Sequence, residues 1–319
     1  MSNLLYYTVT TLLVAITSLS VGVGGSRTAS SALQAINIQP QAEADIRRAL
    51  ILGLALIETT ALVGLIMSLY LLIKLVPTTL QLSNPDFGWA SLGIACAICL
   101  PGAIAGVLSA LPTSAGVFAI ARQPFAANQI IKLMLLTTSF VQTPMIFGLI
   151  MALILAHQTT HCQTLPTNLK LLAAGLATGL GSIGPILGLA RFARAACTAI
   201  GYNREAYSKI LTFTIASVAL IETPVVFALV TAFMILAIPA ASVTLLKSVA
   251  LITAALAIGV TNFAPSLSSS KTASAACLQM AQHPELSPVL SKTSLMVQGV
   301  IDTFVIYGWV IAIMLIFFS

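Results

Sequence analysis

A run of apolar residues from about Ala49 to Val76 is interrupted by a single carboxylate, Glu58, near its middle. A helix crossing a bilayer needs roughly 20 mostly apolar residues, so this run is long enough to span. A carboxylate at that depth is costly, and its default reading is a working group. The arrangement returns three more times, centred on Gln142, Glu222 and Asp302 at intervals of 84, 80 and 80 residues. Each centre is followed by threonine: Thr59, Thr143, Thr223 and Thr303. Nineteen residues before each centre lies a short polar turn, at Gln39-Pro40, Gln123-Pro124, Asn203-Arg204 and His283-Pro284. Such self-similarity is the first thing to seek in a chain of this length. It predicts four tandem units, residues 1–80, 81–162, 163–241 and 242–319. Each is a helical hairpin, with a small-residue helix, a polar turn, and a helix carrying one polar centre.

Composition agrees with a chain that lives in lipid. Of 319 residues 58% are hydrophobic and 7% charged, whereas soluble domains carry roughly 25% charged residues. The expected fold is an all-α membrane protein with eight spans, at about 4–36, 47–76, 88–119, 127–156, 168–200, 206–238, 243–280 and 289–318. Two spans per unit give all four hairpins the same orientation, unlike the inverted repeats of many transporters. The start, Met1 to Tyr7, has no basic segment of the kind that precedes a cleaved signal, so the first span is expected to be retained.

The net charge of +6 is informative through its placement. Arg47, Arg48, Arg122, Lys132, Arg204, Lys209 and Lys292 flank the four turns, while Lys74, Lys170 and Lys247 lie toward the other side. The positive-inside rule then places the turns in the cytoplasm and both termini on the opposite side of the cell (inner) membrane. A second basic row recurs thirty-one residues before each centre, at Arg27, Arg191 and Lys271, with Leu111 in the unit whose centre is Gln142. Each base could reach its carboxylate or line the interior of an assembly. Permanent pairing would keep the acid ionised and hinder exchange.

The first helices are rich in small residues, for example Gly22, Gly24 and Gly25, and Gly179, Gly181, Gly184 and Gly188. Small residues let helix backbones approach closely in lipid. Head-to-tail stacking of such parallel hairpins closes into a ring. The cysteines (Cys96, Cys99, Cys162, Cys197, Cys277) are scattered, and the C-x-x-C pair at Cys96 and Cys99 reads as packing rather than as a metal or redox site. His157, His161 and His283 fall in loops or at helix ends and carry no chemistry. The sequence has no G-x-x-x-x-G-K-[ST] loop and no nucleophile–base constellation, so no cofactor, metal or catalytic residue is expected.

The stretch from Arg48 to Glu58 and the Ala121-Arg-Gln-Pro turn of the second unit resemble the c subunit of F-type ATP synthases. That protein is a proteolipid hairpin with a glycine-rich first helix, an Arg-Gln-Pro turn and a carboxylate midway along the second helix; the chain resembles a fourfold fusion of it. The resemblance implies a non-catalytic, ion-translocating component of a rotor ring. Its implied partners are further copies of itself, a stator a subunit, the central-stalk subunits and membrane lipid, with no nucleic acid. It makes Glu58, Glu222 and Asp302 the ion-binding residues and Thr59, Thr223 and Thr303 the ion-site hydroxyls. Gln142, which cannot release a proton, becomes a silent site. Gln39, Pro40, Arg122, Gln123 and Pro124 become the stalk-contact turn. A carboxylate facing hydrocarbon is held neutral, because low-dielectric surroundings disfavour its charge; a stator cation would drive ion release. The expected cargo is a proton, with sodium the alternative: the first-helix positions Gly25, Leu189 and Ser269 supply no glutamine to a sodium site.

Two other functions fit parts of the sequence. A V-type ATPase proteolipid working as an ATP-driven pump shares the multi-hairpin habit and the missing carboxylate. A secondary transporter using Glu58, Glu222 and Asp302 as a relay predicts a working monomer with those acids converging on a central cavity. A ring predicts that they face outward.

Overall fold

The computed structural model describes residues 2–75, 87–159 and 164–318. His161 and Cys162 lie outside the described residues. Among the described residues, nine α-helices make eight spans: α1 (Ser2–Ile38), α2 (Glu43–Leu75), α3 (Phe87–Leu108), α4 (Ala110–Arg122), α5 (Ala127–Gln158), α6 (Leu165–Tyr202), α7 (Tyr207–Ala237), α8 (Leu245–Gln282) and α9 (Ser287–Phe318). Only a helix or a closed barrel satisfies its own backbone in hydrocarbon, and these apolar runs take the helical solution. The spans, 34 to 38 residues long, equal or exceed the hydrophobic runs read from sequence. At 1.5 Å per residue they reach about 51–57 Å, well beyond a hydrocarbon core of about 30 Å, so their ends stand in the headgroup layer and water.

The third span is broken, a feature absent from the sequence reading. Ser109 separates α3 from α4. Pro112 lies three residues on and has no N–H to offer the Leu108 carbonyl, which weakens the ladder at this point. Pro101, Pro144, Pro185, Pro224 and Pro265 lie inside helices that continue through them.

The four turns that join first to second helices share one geometry. Gln39, Gln123, Asn203 and His283 all leave the helical backbone, with φ of −136°, −135°, −148° and −129°, and each is followed by one turn of 3₁₀-helix. A proline disfavours helical backbone in the residue before it, which accounts for three of them. The third unit has Arg204 instead; there Asn203 holds the turn, its Oδ1 accepting from the Glu205 N–H at 3.0 Å. Different chemistry thus makes the same corner.

The hairpins stand side by side in chain order. Their first helices (α1, α3 with α4, α6, α8) form one tightly packed row, and the second helices (α2, α5, α7, α9) form an outer row with sparser mutual contact. The layer therefore curves, with the first helices on its inner side. Glycine sets the inner spacing: a Cβ on Gly24 would fall on the Gly106 carbonyl, one on Gly175 on the Gly93 carbonyl, and one on Gly188 within 2.6 Å of the Ser266 carbonyl. Lysines lock the side opposite the turns, Lys74 donating to the Ala156 carbonyl and Lys170 to those of Leu236 (3.0 Å) and Ile238 (2.6 Å). These carbonyls lie at the C-terminal ends of neighbouring helices, in the last turns of α5 and α7 and at the residue that caps α7, where a cation is favoured. Cys99, Cys197 and Cys277 are buried as packing residues, and no cluster of metal-ligating side chains occurs among the described residues.

Candidate functional site

All four centres sit near the middle of second helices, Glu58 on α2, Gln142 on α5, Glu222 on α7 and Asp302 on α9, so the outer row carries them at one level. They do not converge on a central cavity. Their surroundings differ from one to the next.

Gln142 is the most enclosed, at 6% exposure. Its Nε2 donates to Ser109 Oγ at 2.7 Å, and its Oε1 accepts from Thr60 Oγ1 at 2.7 Å. Ser109 is the residue at the break in its own hairpin, and Thr60 belongs to the preceding unit, so this side chain ties three helices together. Asp302 makes the equivalent contact within its own hairpin: Ser269 Oγ donates to Oδ1 at 3.3 Å. Ser109 and Ser269 both precede their centre by thirty-three residues; Gly25 and Leu189 hold that position in the other two units. The Oδ2 of Asp302 is buried with no partner among the described residues. Glu222 is half-buried, with the side chain of Thr143, from the preceding unit, within hydrogen-bonding reach. Glu58, in the first unit, is exposed on the free flank of the layer.

A unit thus presents a hydroxyl to the centre of the next one, Thr60 to Gln142 and Thr143 to Glu222. The hydroxyls of Thr59, Thr223 and Thr303 donate to carbonyls of their own helices, at Leu56 (2.6 Å), Ala219 (2.9 Å) and Val300 (2.7 Å), leaving their lone pairs free to act as acceptors. Sequence spacing placed the threonines in register; which one faces across a unit boundary depends on helix rotation, which spacing does not carry. Thr60 was missed for that reason; Ser109 was missed although the spacing that gives Gly25, Leu189 and Ser269 also gives it, thirty-three residues before its centre.

Among the described residues Arg47 forms an ion pair with Glu43, and His283 Nδ1 lies 3.3 Å from a carboxylate oxygen of Glu285, both near the turns. Arg27, Arg191 and Lys271 are exposed and pair with none of the three acids. Of the turn residues, Gln39, Pro40, Gln123 and Pro124 form the corners of the first two units, and Arg122 lies over the Tyr202 ring, 5.1 Å from its centroid. Phe125, at the tip of the second turn, is 95% exposed and was missed in the sequence.

Tandem parallel hairpins with an acid at mid-span of the second helix define a proteolipid-type membrane protein. The family model for the ATP synthase C subunit matches residues 9–71, 172–235 and 252–315, the three units that carry a carboxylate. The chain belongs to the ATP synthase C subunit family. It is similar to the ATP synthase c subunit of Dehalococcoides mccartyi, 52% identical over 62 residues that cover 19% of this chain and 82% of that protein. The ATP synthase c subunit of Chloroflexus aurantiacus is 40% identical over 68 residues, 21% of this chain and 90% of its relative. No solved structure matches.

Proposed function

We propose that the chain is the ion-translocating rotor component of the membrane sector of a rotary ATP synthase, coupling transmembrane ion flow to ATP synthesis without catalysing a reaction itself. The observation that carries this reading is the level row of acids on the outer helices, at Glu58, Glu222 and Asp302, rather than around a central cavity. An acid in this row is neutral while it faces hydrocarbon and releases its ion where a partner supplies a fixed cation and water. The partners are a stator protein beside the outer row and a central stalk on the cytoplasmic turns, with Gln39, Pro40, Arg122, Gln123 and Pro124 at the stalk contact and both termini on the far side.

Further copies of the chain close the ring. Within the chain, the residue thirty-four before a centre packs against the residue thirty-six before the next centre: Gly24 on Gly106, and Gly188 on Ser266. The same positions at the two free flanks are Ser268 and Gly22, both exposed, and a Cβ on Gly22 would meet nothing within 4 Å. Seating Ser268 of one copy on Gly22 of the next repeats the internal joint. It also brings the Thr303 side of one copy to the uncovered Glu58 of the other.

The cargo is a proton. Sodium needs several oxygen ligands, and each of the three acids gathers one side-chain hydroxyl at most among the described residues. Labelling the purified complex with dicyclohexylcarbodiimide, which modifies protonated carboxyls in apolar surroundings, tests the reading. Peptide mass mapping should find modification at Glu58, Glu222 or Asp302 with loss of ATP-coupled transport, unaffected by sodium. Unmodified acids would remove the mechanism; protection by sodium would reverse the ion.

A further inference from the structure

The inner side of the layer holds a cavity of about 730 Å³ between α1, α4 and α6, unrelated to the row of acids. Three arginines from three different units line it: Arg27, Arg122 and Arg194. Hydroxyl groups of Ser30, Ser114 and Thr198 complete its polar wall, while Leu111 and Phe118 supply an apolar one. No acidic residue lines it among the described residues, and none of the three arginines is in an ion pair there.

Depth matters to what such a cavity takes. Arg122 ends α4, Arg194 lies eight residues from the end of α6 and Arg27 eleven from the end of α1. At 1.5 Å per residue the cations occupy levels about 0, 12 and 16 Å from the turns. The turns themselves stand about 28 Å from the level of the acids, so with a hydrocarbon half-thickness of about 15 Å the cavity runs through the headgroup layer to its boundary with the acyl chains. Arginine at such a level needs a counter-charge or water. Its planar fork of donors matches phosphate oxygens in pairs. The second unit creates the room: where the first and third units carry Arg27 and Arg191, it carries Leu111, and Ser114 stands where the third unit has Arg194.

We propose that this cavity binds the phosphate of an anionic phospholipid, with Arg27 and Arg194 gripping the headgroup from either side and the acyl chains running past Leu111 toward the membrane centre. Arg122 is held at the mouth by the Tyr202 ring beneath it. One chain contains the whole site, so it does not depend on ring closure. Because Leu111 breaks the basic row in one unit of four, the expected occupancy is one lipid per chain rather than one per hairpin.

Native mass spectrometry of the detergent-purified full chain, titrated with phosphatidylglycerol, phosphatidylcholine or inorganic phosphate, tests this. The expected result is one retained phosphatidylglycerol per chain, little phosphatidylcholine, and no displacement by inorganic phosphate. Arg27→Leu, which copies the residue already present at 111, and Arg194→Gln should each weaken retention about tenfold, the loss of one charge-assisted contact. Lys271→Gln, on the inner side but outside the cavity, should leave retention unchanged. A detergent melt close to that of the parent shows that a variant is folded; Arg27→Lys should then recover part of the binding. Equal retention of both lipids, or retention indifferent to both arginine variants in folded protein, overturns the proposal. Displacement by inorganic phosphate overturns the lipid assignment.

Discussion

Gln142 shows how a polar centre within a span becomes architecture. Its two hydrogen bonds use both ends of the amide and draw in Thr60 and Ser109, whereas the acids at the other centres keep oxygen capacity unused. A buried amide satisfied at both ends contributes on the order of 1 kcal/mol per bond. Gln142→Glu keeps the shape and replaces the donor to Ser109 by an oxygen; the Ser109 hydroxyl can turn to donate instead. The variant should fold with a stability loss of about 1–2 kcal/mol. Carbodiimide mapping should then detect a fourth reactive acid per chain, and the ion-to-ATP ratio should rise by about one third. An unchanged ratio would mean that Gln142 does not silence its hairpin. The four centres were legible in the sequence because a lone polar residue in an apolar run stands out at any rotation of its helix. The role of Thr60 was not, because Thr59 and Thr60 are adjacent and only packing decides which faces the next unit.

The elements were largely legible too, because a helix in lipid has no competitor and each turn is marked by polar residues. Length was not: apolarity marks where hydrocarbon contacts the helix, while hydrogen bonding continues past it, so α2 begins at Glu43 rather than near residue 47. The break at Ser109 escaped because proline is common in these spans and only Pro112 coincides with an interruption. Close approach between inner helices rests on particular glycines. In Gly188→Leu the new side chain would strike the Ser266 carbonyl, a backbone atom that cannot swing aside. A cost of about 3 kcal/mol or more is expected, seen as a sharply lowered melting temperature or loss of extractable protein. A normal melt would show that α6 and α8 can part without penalty.

The curved layer of four hairpins leaves one flank exposing Gly22 and Glu58 and the other exposing Ser268. Gly22→Leu should leave the isolated chain folded, since no described atom lies within 4 Å of the added carbon, yet should block head-to-tail assembly. Native mass spectrometry would read this as loss of the oligomer with retention of the monomer, and an intact oligomer would disprove the joint. Close stacking of the first helices was hinted at by the small-residue pattern, but the register of the joints within the chain rests on helix rotation, which brings Gly24 onto Gly106 and Gly188 onto Ser266.

Fusion has a mechanical consequence. In a ring of identical hairpins every tooth of the gear is alike. On the rotor reading proposed above, the unit with Gln142 carries no ion and sits at a fixed place between Glu58 and Glu222, so loaded teeth would follow one another at one, one and then two hairpin spacings. The torque delivered to a stalk would carry that uneven beat, and the elastic coupling between the membrane motor and the nucleotide sites would have to bridge a double stride once per chain.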